Sequence, residues 1–404
     1  MSNKVKEFIA SHWDECIKEN RFDNDTLVGL PYPYIVPAVG HFDEMYYWDT
    51  YFTNVGLIHA GRALQAKYNV DNMLNLVSRF GFMPNGNRTY YLTRSQAPFL
   101  SYMVKDIYAH FNDKAWLDGA YSILLKEYDF WMTKRMTETG LNQYYDNTEK
   151  DELIKLSYDL EERMGVSLEG DKEKIGLHYL IMCEAGWDIN TRFDLEGYNF
   201  VQVDLNSLLY GLEKNMAEFS DILMKDDAHL WNERAEKRKA LIHKLLDNGE
   251  GLLLDYNFVT KKHGKNFCSA CIYPLFTGVA DEKHAKAIVE NLPRLEAGFG
   301  ILANEKNDVP GSFQWGYPNG WPCQQYIAYK GLYKYGFKEE ARRVAQKYMA
   351  CVEKVFNETQ NLWEKYNVVE GSSNVCDEYK MPAMMGWSAG VYLDAEKFLN
   401  DTEE

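Results

Sequence analysis

The chain has 404 residues, is 46% hydrophobic and carries a net charge of −16. No run of 18 apolar residues occurs, which excludes an apolar membrane-spanning helix, and the acidic balance disfavours nucleic acid and anionic lipid as partners. The length allows one large toroid or barrel with a sizeable core.

Helical periodicity dominates from the N-terminus onward. Stretches with apolar residues at three- and four-residue spacing fall near 51–66, 98–112 and 115–135. The region 146–175 is rich in charge and reads as an exposed insertion or mobile helix, in a charged segment reaching to about 180. The stripe Leu208, Leu209, Leu212, Met216, Phe219, Ile222 and Leu223 predicts a helix, as do 281–292 and the pattern from Ala341 to Phe356. Strand-like alternation is scarce. The expectation is an all-α protein of about a dozen helices, with 1–404 forming a single domain. Between the helices lie five segments rich in Gly, Pro, Asn and Trp: 31–49, 82–98, 184–198, 295–322 and 363–387. Loops gathered at one end of a rigid scaffold are where function is usually placed.

The seven cysteines (16, 183, 268, 271, 323, 351 and 376) are scattered and odd in number. With no apolar core for a secretory signal near the N-terminus, they predict reduced thiols and a cytoplasmic location. Cys268-Ser-Ala-Cys271 is a lone pair and reads as two small buried residues on a helix rather than half a metal site. The nine histidines show no ligand-like clustering in sequence. Phosphate-binding glycine loops, dinucleotide fingerprints and HExxH are all lacking.

Aromatic residues make up 15% of the chain, including 10 Trp and 29 Tyr. Most of that excess suits a packed core, but aromatic faces also bind the C–H faces of sugar rings. Asp188 follows Gly186 and Trp187, a tight turn with an aromatic wall. It reads either as the cap of a helix starting at Ile189 or as an acid whose pKa is raised by burial. Glu378 lies in a loop with Tyr379 and Trp387 nearby; Asp377 and Glu364 compete with it for a base role. Asn85, Arg94 and Gln96 carry the donors and acceptors that vicinal hydroxyls require, or they stabilise their own loop. Asp49, after Trp48, either holds hydroxyls or caps a helix near Thr50.

Five segments in order resemble the trehalase family of inverting glycoside hydrolases. They are Gly40–Tyr51 (GHFDEMYYWDTY), Pro84–Gln96 (PNGNRTYYLTRSQ), Glu184–Arg192 (EAGWDINTR), Gln314–Trp321 (QWGYPNGW), and the series Glu364-Lys-Tyr, Asp377-Glu-Tyr and Gly386-Trp. The resemblance spans roughly 31–393. It implies an (α/α)6 toroid, Asp188 as general acid, Glu378 as general base, and no metal or organic cofactor. It also implies a sugar pocket containing Phe42, Trp48, Asp49, Asn85, Arg94, Gln96, Gln314, Trp315 and Trp387. Trp187 would add an aromatic wall, and Arg192 and Trp321 would support the walls. The implied partner is a small sugar: trehalose or a close analogue. Hydrolases of glucosylglycerate or mannosylglycerate share this barrel and are the alternative, and a non-hydrolytic carbohydrate-active protein (a lyase or epimerase) or a sugar-binding protein on the same toroid is another.

The departures from the family pattern cluster. His41 stands where trehalases carry Arg, and Gly316 where they carry Asp. No Arg-Pro-Glu-Ser segment occurs between Lys150 and Ile181, and Val369–Cys376 replaces the glycine-rich run before the base. These changes fall where the second half of the substrate is recognised. The subsite for the first sugar is the better preserved.

Overall fold

The computed structural model describes residues 3–376 and 384–403. Glu378, the implied general base, and the neighbouring Asp377 and Tyr379 lie outside the described residues.

Fourteen α-helices occur among the described residues. After α1 (Asn3–His12), the expected helix over 51–66 is two helices, α2 (Tyr47–His59) and α3 (Ala63–Phe80). Gly61 breaks it with a left-handed φ of 74°, a conformation that costs glycine little. Next come α4 (Leu100–Phe111), α5 (Lys114–Lys134), α6 (Lys150–Met164), α7 (Lys172–Ala185), α8 (Val203–Leu223) and α9 (Ala228–Leu245). Asp113 starts α5 by accepting the Trp116 N–H at 3.0 Å, which satisfies one of the orphan donors of a first turn. The chain ends with α10 (Tyr273–Thr277), α11 (Glu282–Asn291), α12 (Pro322–Lys334), α13 (Lys338–Thr359) and α14 (Gly386–Asp401).

Six helices close a ring: α2 packs on α4, α4 on α8, α8 on α10, α10 on α12, α12 on α14, and α14 back on α2. Helices α3, α5, α9 and α13 lean on this ring from outside. The protein is an (α/α)6 toroid. The ring helices are buried on nearly all sides; α2 and α8 keep even Asn54 and Asn206 from solvent. The outer α13 keeps one apolar stripe, Ala341 to Phe356, against the core and exposes its Lys and Glu face. Aromatic rings fill the centre. Tyr51 stacks on Phe99 at 4.6 Å and meets Tyr326 edge-on at 5.8 Å. Much of the aromatic excess is therefore core, as expected.

The tightest joint is between α2 and α14. A Cβ on Gly56 would stand 2.3 Å from the Gly390 Cα, and one on Gly390 would stand 2.1 Å from the Phe52 carbonyl oxygen. These two backbones touch, which holds together the two helices whose N-termini carry Trp48 and Trp387.

The charged region after residue 146 is a helical pair rather than a loose insertion. Leu153, Leu160 and Met164 of α6 are buried, the last two in a second small core with Ile175, Tyr179 and Met182 of α7. Glycine is required at 176, where a Cβ would lie 1.8 Å from the Leu153 carbonyl oxygen. Cys268 and Cys271 are both buried, as expected, but at a 3-10 turn (Ser269–Ile272) instead of on an α-helix.

Gly390→Ala is expected to lower stability by about 1–3 kcal/mol, the usual cost of overpacking a close contact. A thermal melt checks it. An unchanged Tm would mean that α2 and α14 are not in backbone contact.

Candidate active site

All five Gly-, Asn- and Trp-rich segments reach one cavity of about 370 Å³ at the end of the ring where α2 and α14 begin. Its lining includes Phe42, Trp48, Asp49, Asn85, Arg94, Gln96, Asp188, Gln314, Trp315, Trp321 and Trp387. These residues are separated by up to 345 positions in sequence (387 − 42), and the toroid brings them to one cavity.

The wall is built on tryptophan. Trp315 and Trp321 stack face to face at 3.8 Å with an interplanar angle of 1°. Trp187 stacks behind Trp315 at 5.2 Å, Trp48 lies 5.6 Å from Trp315, and Trp387 meets Trp48 edge-on at 6.1 Å. The indole N–H groups of two of them tie loops together: Trp321 donates to the Gln314 carbonyl at 3.1 Å, and Trp387 to the Glu364 carbonyl at 2.9 Å. A short antiparallel pairing of Asn319–Gly320 with Tyr366–Asn367 fastens the same two loops.

Asp188 owes its place to the end of α7. Gly186 terminates that helix with φ 76°, the left-handed cap that glycine favours. A Cβ there would lie 2.6 Å from the Trp48 indole, so the glycine is needed for both conformation and approach. No helix begins at Ile189, so Asp188 is not a helix cap. Ile189 itself takes φ 54°, a strained conformation for a β-branched residue. The Trp315 N–H holds it by donating to the Ile189 carbonyl at 3.3 Å. Asp49 is not a cap either: α2 starts at Tyr47, and Asp49 sits within its first turn.

Hydrogen bonds fix the opposite wall. The Gln96 side-chain oxygen accepts the Trp48 N–H at 3.1 Å. Asn85 donates to the carbonyls of Ser95 at 3.2 Å and Cys183 at 3.3 Å. Arg94 pairs with buried Asp146 at 3.4 Å and lies over the Tyr91 ring. Behind this wall, Glu184 accepts the Ser95 N–H at 2.8 Å and pairs with fully buried Arg135. The loop readings of Asn85 and Gln96 therefore hold together with their place on the cavity wall.

Among the described residues, three carboxyl groups share the cavity: Asp49, Asp188 and Glu364. Asp49 and Asp188 open onto it but are enclosed by protein on their other sides. Burial, with Glu364 and then Asp188 adding repulsion, pushes the Asp49 carboxyl up to about 8. Burial also raises Asp188, against the pull of the Arg163 and Arg94 guanidinium groups. Glu364 is paired at 2.8 Å with Lys365, which is fully buried, 3.3 Å from the Gln314 side-chain oxygen and stacked over Trp321. One wall thus holds a carboxylate with its counter-ion beside carboxyl groups biased toward the protonated form. That division is what general acid chemistry near neutral pH requires.

Two sequence-derived site residues do not line the cavity. Trp187 is fully buried behind Trp315. Arg192 is held by Asp204 at 2.8 Å and Asp255 at 3.0 Å, with its guanidinium over Trp187. It braces the Trp187 side of the wall because two buried carboxylates use its donors. Conversely, Arg163, Tyr46, Tyr91, Tyr179 and Cys183 line the cavity without having been singled out from sequence. The structure also assembles a histidine group invisible to spacing: His243, Asp281 and His284 bring one ligand atom each within 4.8 Å of one another, away from the cavity. His284 already accepts the Asp281 N–H at 3.0 Å on Nδ1 and meets Asp247 at 3.3 Å through Nε2.

A family model described as Trehalase matches residues 2–400. The chain belongs to the trehalase family. Relatives within it include the periplasmic trehalase of Xanthomonas oryzae pv. oryzae, 32% identical over 96% of this chain and 72% of that protein. The periplasmic trehalase of Pseudomonas aeruginosa is 32% identical over 92% of this chain and 72% of its own length. Among solved structures, neutral trehalase Nth1 from Saccharomyces cerevisiae matches with a TM-score of 0.78 at 27% identity, over 98% of this chain and 80% of that one. The GH63 mannosylglycerate hydrolase from Thermus thermophilus shares the fold, with a TM-score of 0.68 at 16% identity over 96% and 98% of the two chains. Membership of the trehalase family makes this protein a glycoside hydrolase.

The names of these trehalase-family relatives overturn the expected cytoplasmic location, since they point to the periplasm. The physical reason is in the cysteines. Five of the seven are buried, and a thiol shielded from oxidants and partners reports packing, not compartment. No helix among the described residues is long and apolar enough to cross a membrane.

The raised Asp49 carboxyl has a signed consequence. An unfolded aspartate ionises near pH 4, roughly, whereas the folded one keeps its proton up to about 8. Between those values the folded state binds the extra proton, so stability falls as pH rises through the window. Sugar-free Asp49→Asn protein is expected to show a flatter decline of Tm between pH 5 and pH 8 than the parent. Identical slopes would contradict the burial of a protonated Asp49.

Proposed function

We propose that this glycoside hydrolase cleaves α,α-trehalose, or a close small α-glucoside, in one step with inversion, within a single catalytic toroid. The observation that carries the reading is the position of Asp188: a burial-raised carboxyl on the wall of a cavity whose closed end is aromatic. One glucosyl ring seats against Trp48, Trp315, Trp321 and Trp387, while Asp49, Asn85, Arg94, Gln96 and Gln314 take its hydroxyls. Asp188 donates its proton to the glycosidic oxygen as the C–O bond breaks. Glu378 takes a proton from a water whose oxygen bonds to the anomeric carbon on the opposite face. The products are two glucose molecules.

Inversion needs room for that water, with the two carboxyls about 6.5–9.5 Å apart. The trehalase names of relatives at 32% identity support the choice of substrate, and the order of motifs around Glu364, Glu378 and Trp387 supports the choice of base.

Two outcomes test this. Proton NMR of early trehalose hydrolysis is expected to show α- and β-glucose in equal amounts, because only the attacked ring inverts. Retention would release α-glucose alone and would sink the assignment of Glu378. Asp188→Asn and Glu378→Gln are each expected to lower kcat by roughly a thousandfold or more while sugar binding persists. Activity close to that of the parent in either variant would remove that residue from its role.

A further inference from the structure

Outside the sugar cavity, α9 and α11 face each other across histidine and carboxylate side chains. His243 belongs to the last turn of α9. Asp281 caps α11, and His284 in its first turn completes a capping box with it. Each of these three brings one ligand atom within 4.8 Å of the others. Asp247, just past the end of α9, borders them through His284.

Hydrogen bonding fixes which ring nitrogens carry protons. The Val279 carbonyl can only accept, so His243 donates to it through Nε2 at 2.8 Å. His243 Nδ1 then faces Asp281 Oδ2 at 3.3 Å. In the neutral ring both of these atoms are acceptors. Two acceptors that close need a positive charge between them, either a proton or a metal ion. His284 accepts the Asp281 N–H on Nδ1 at 3.0 Å, so its own proton lies on Nε2, facing Asp247 at 3.3 Å. Burial, followed by the neighbouring His243, lowers the His284 pKa and favours the neutral ring. Neutral imidazole is the form that binds metal.

The spacing suits a tetrahedral ion. Ligand atoms about 2.0–2.1 Å from zinc lie roughly 3.3 Å from one another. That is the separation of His243 Nδ1 from Asp281 and of His284 Nε2 from Asp247. A carbonyl on the far nitrogen, as Val279 is for His243, is the outer partner that orients a metal-binding imidazole. Lys239 reaches Asp281 at 2.8 Å and Lys283 reaches Asp247 at 2.6 Å. Both pairs open to solvent, with Lys283 63% exposed. Such pairs contribute little, so the ammonium groups yield readily to a divalent ion.

We propose that His243, Asp281 and His284, with Asp247 closing the fourth side, form a binding site for a zinc-class divalent ion. The ion staples the end of α9 to the start of α11. Its role is structural, since the cluster lies outside the sugar cavity. Helix α11 has only 10 residues, and a helix that short depends on its neighbours for stability.

Calorimetry and thermal melts of tag-free, chelator-treated protein test this. Zn2+ is expected to bind with a micromolar Kd and, at about a hundredfold excess over Kd, to raise Tm by a few degrees. Mg2+, which prefers oxygen ligands, is expected to do neither. Two variants spare the local fold. His243→Gln keeps a donor for the Val279 carbonyl, and Asp281→Asn keeps a helix cap. Each is expected to weaken Zn2+ binding by at least about tenfold, with a near-UV circular dichroism spectrum like that of the parent in chelator. If one variant fails to fold, the other decides. Zn2+ bound equally well by the folded variants would overturn the inference, because the ion would then sit elsewhere. Millimolar or weaker binding by the parent would overturn it too, leaving a proton alone between His243 and Asp281. So would an equal response to Mg2+.

Discussion

The contact between the Gly186 backbone and the Trp48 indole sets where the rest of the site lies. On one side, Trp48 lies in the first turn of α2 and is held by Gln96. On the other, Gly186 ends α7 and turns the chain toward Asp188. The Trp315–Trp321 stack rests against Trp48, and Trp187, next to Gly186, stacks on Trp315. Dispersion between flat, close-packed rings leaves little freedom to slide, so the carboxyl cannot shift without moving an indole. The strained Ile189 that follows is one local cost of this arrangement, offset by packing and by the hydrogen bond from Trp315. The backbone contact of Gly56 with Gly390 serves the same end, because it holds α2 and α14 in register behind Trp48 and Trp387.

Enclosure by those rings also creates the electrostatics. Carboxyl groups surrounded by indoles lose hydration, and the loss favours their protonated forms. The three carboxyls that the described residues bring to the cavity would repel strongly if all were charged. The site divides them: Lys365 neutralises Glu364, Asp49 is pushed up to about 8, and Asp188 is raised while two arginines temper the rise. A protonated acid can therefore persist in a cavity that also binds a neutral, hydroxyl-rich ligand.

The helical class was legible because outer helices such as α13 must keep an apolar stripe. The break between α2 and α3 was not, since Gly61 sits inside an otherwise continuous pattern. Asp188, Asp49 and the tryptophans were legible as motif positions, but local chemistry alone left Asp188 open between cap and acid. The absence of a helix at Ile189 removes the cap reading. What anchors Arg192 behind the wall was not legible, because its two carboxylate partners, Asp204 and Asp255, are 12 and 63 residues away. Arg163 escaped notice for the opposite reason: one arginine in a charge-rich helix has no distinguishing neighbour in sequence. Its position depends on a second small core whose members run from Leu160 to Phe313.

The central claim is that Asp188 addresses the glycosidic oxygen of a sugar seated with one ring inward against the tryptophans. The most direct measurement is a crystal structure of Asp188→Asn protein soaked with trehalose. The amide that replaces the carboxyl at position 188 is expected within about 2.6–3.2 Å of the bridging oxygen, with the inner ring against the indoles and the outer ring at the rim. A sugar bound with that amide on a ring hydroxyl instead, or with neither ring touching Trp48 and Trp315, would contradict the claim.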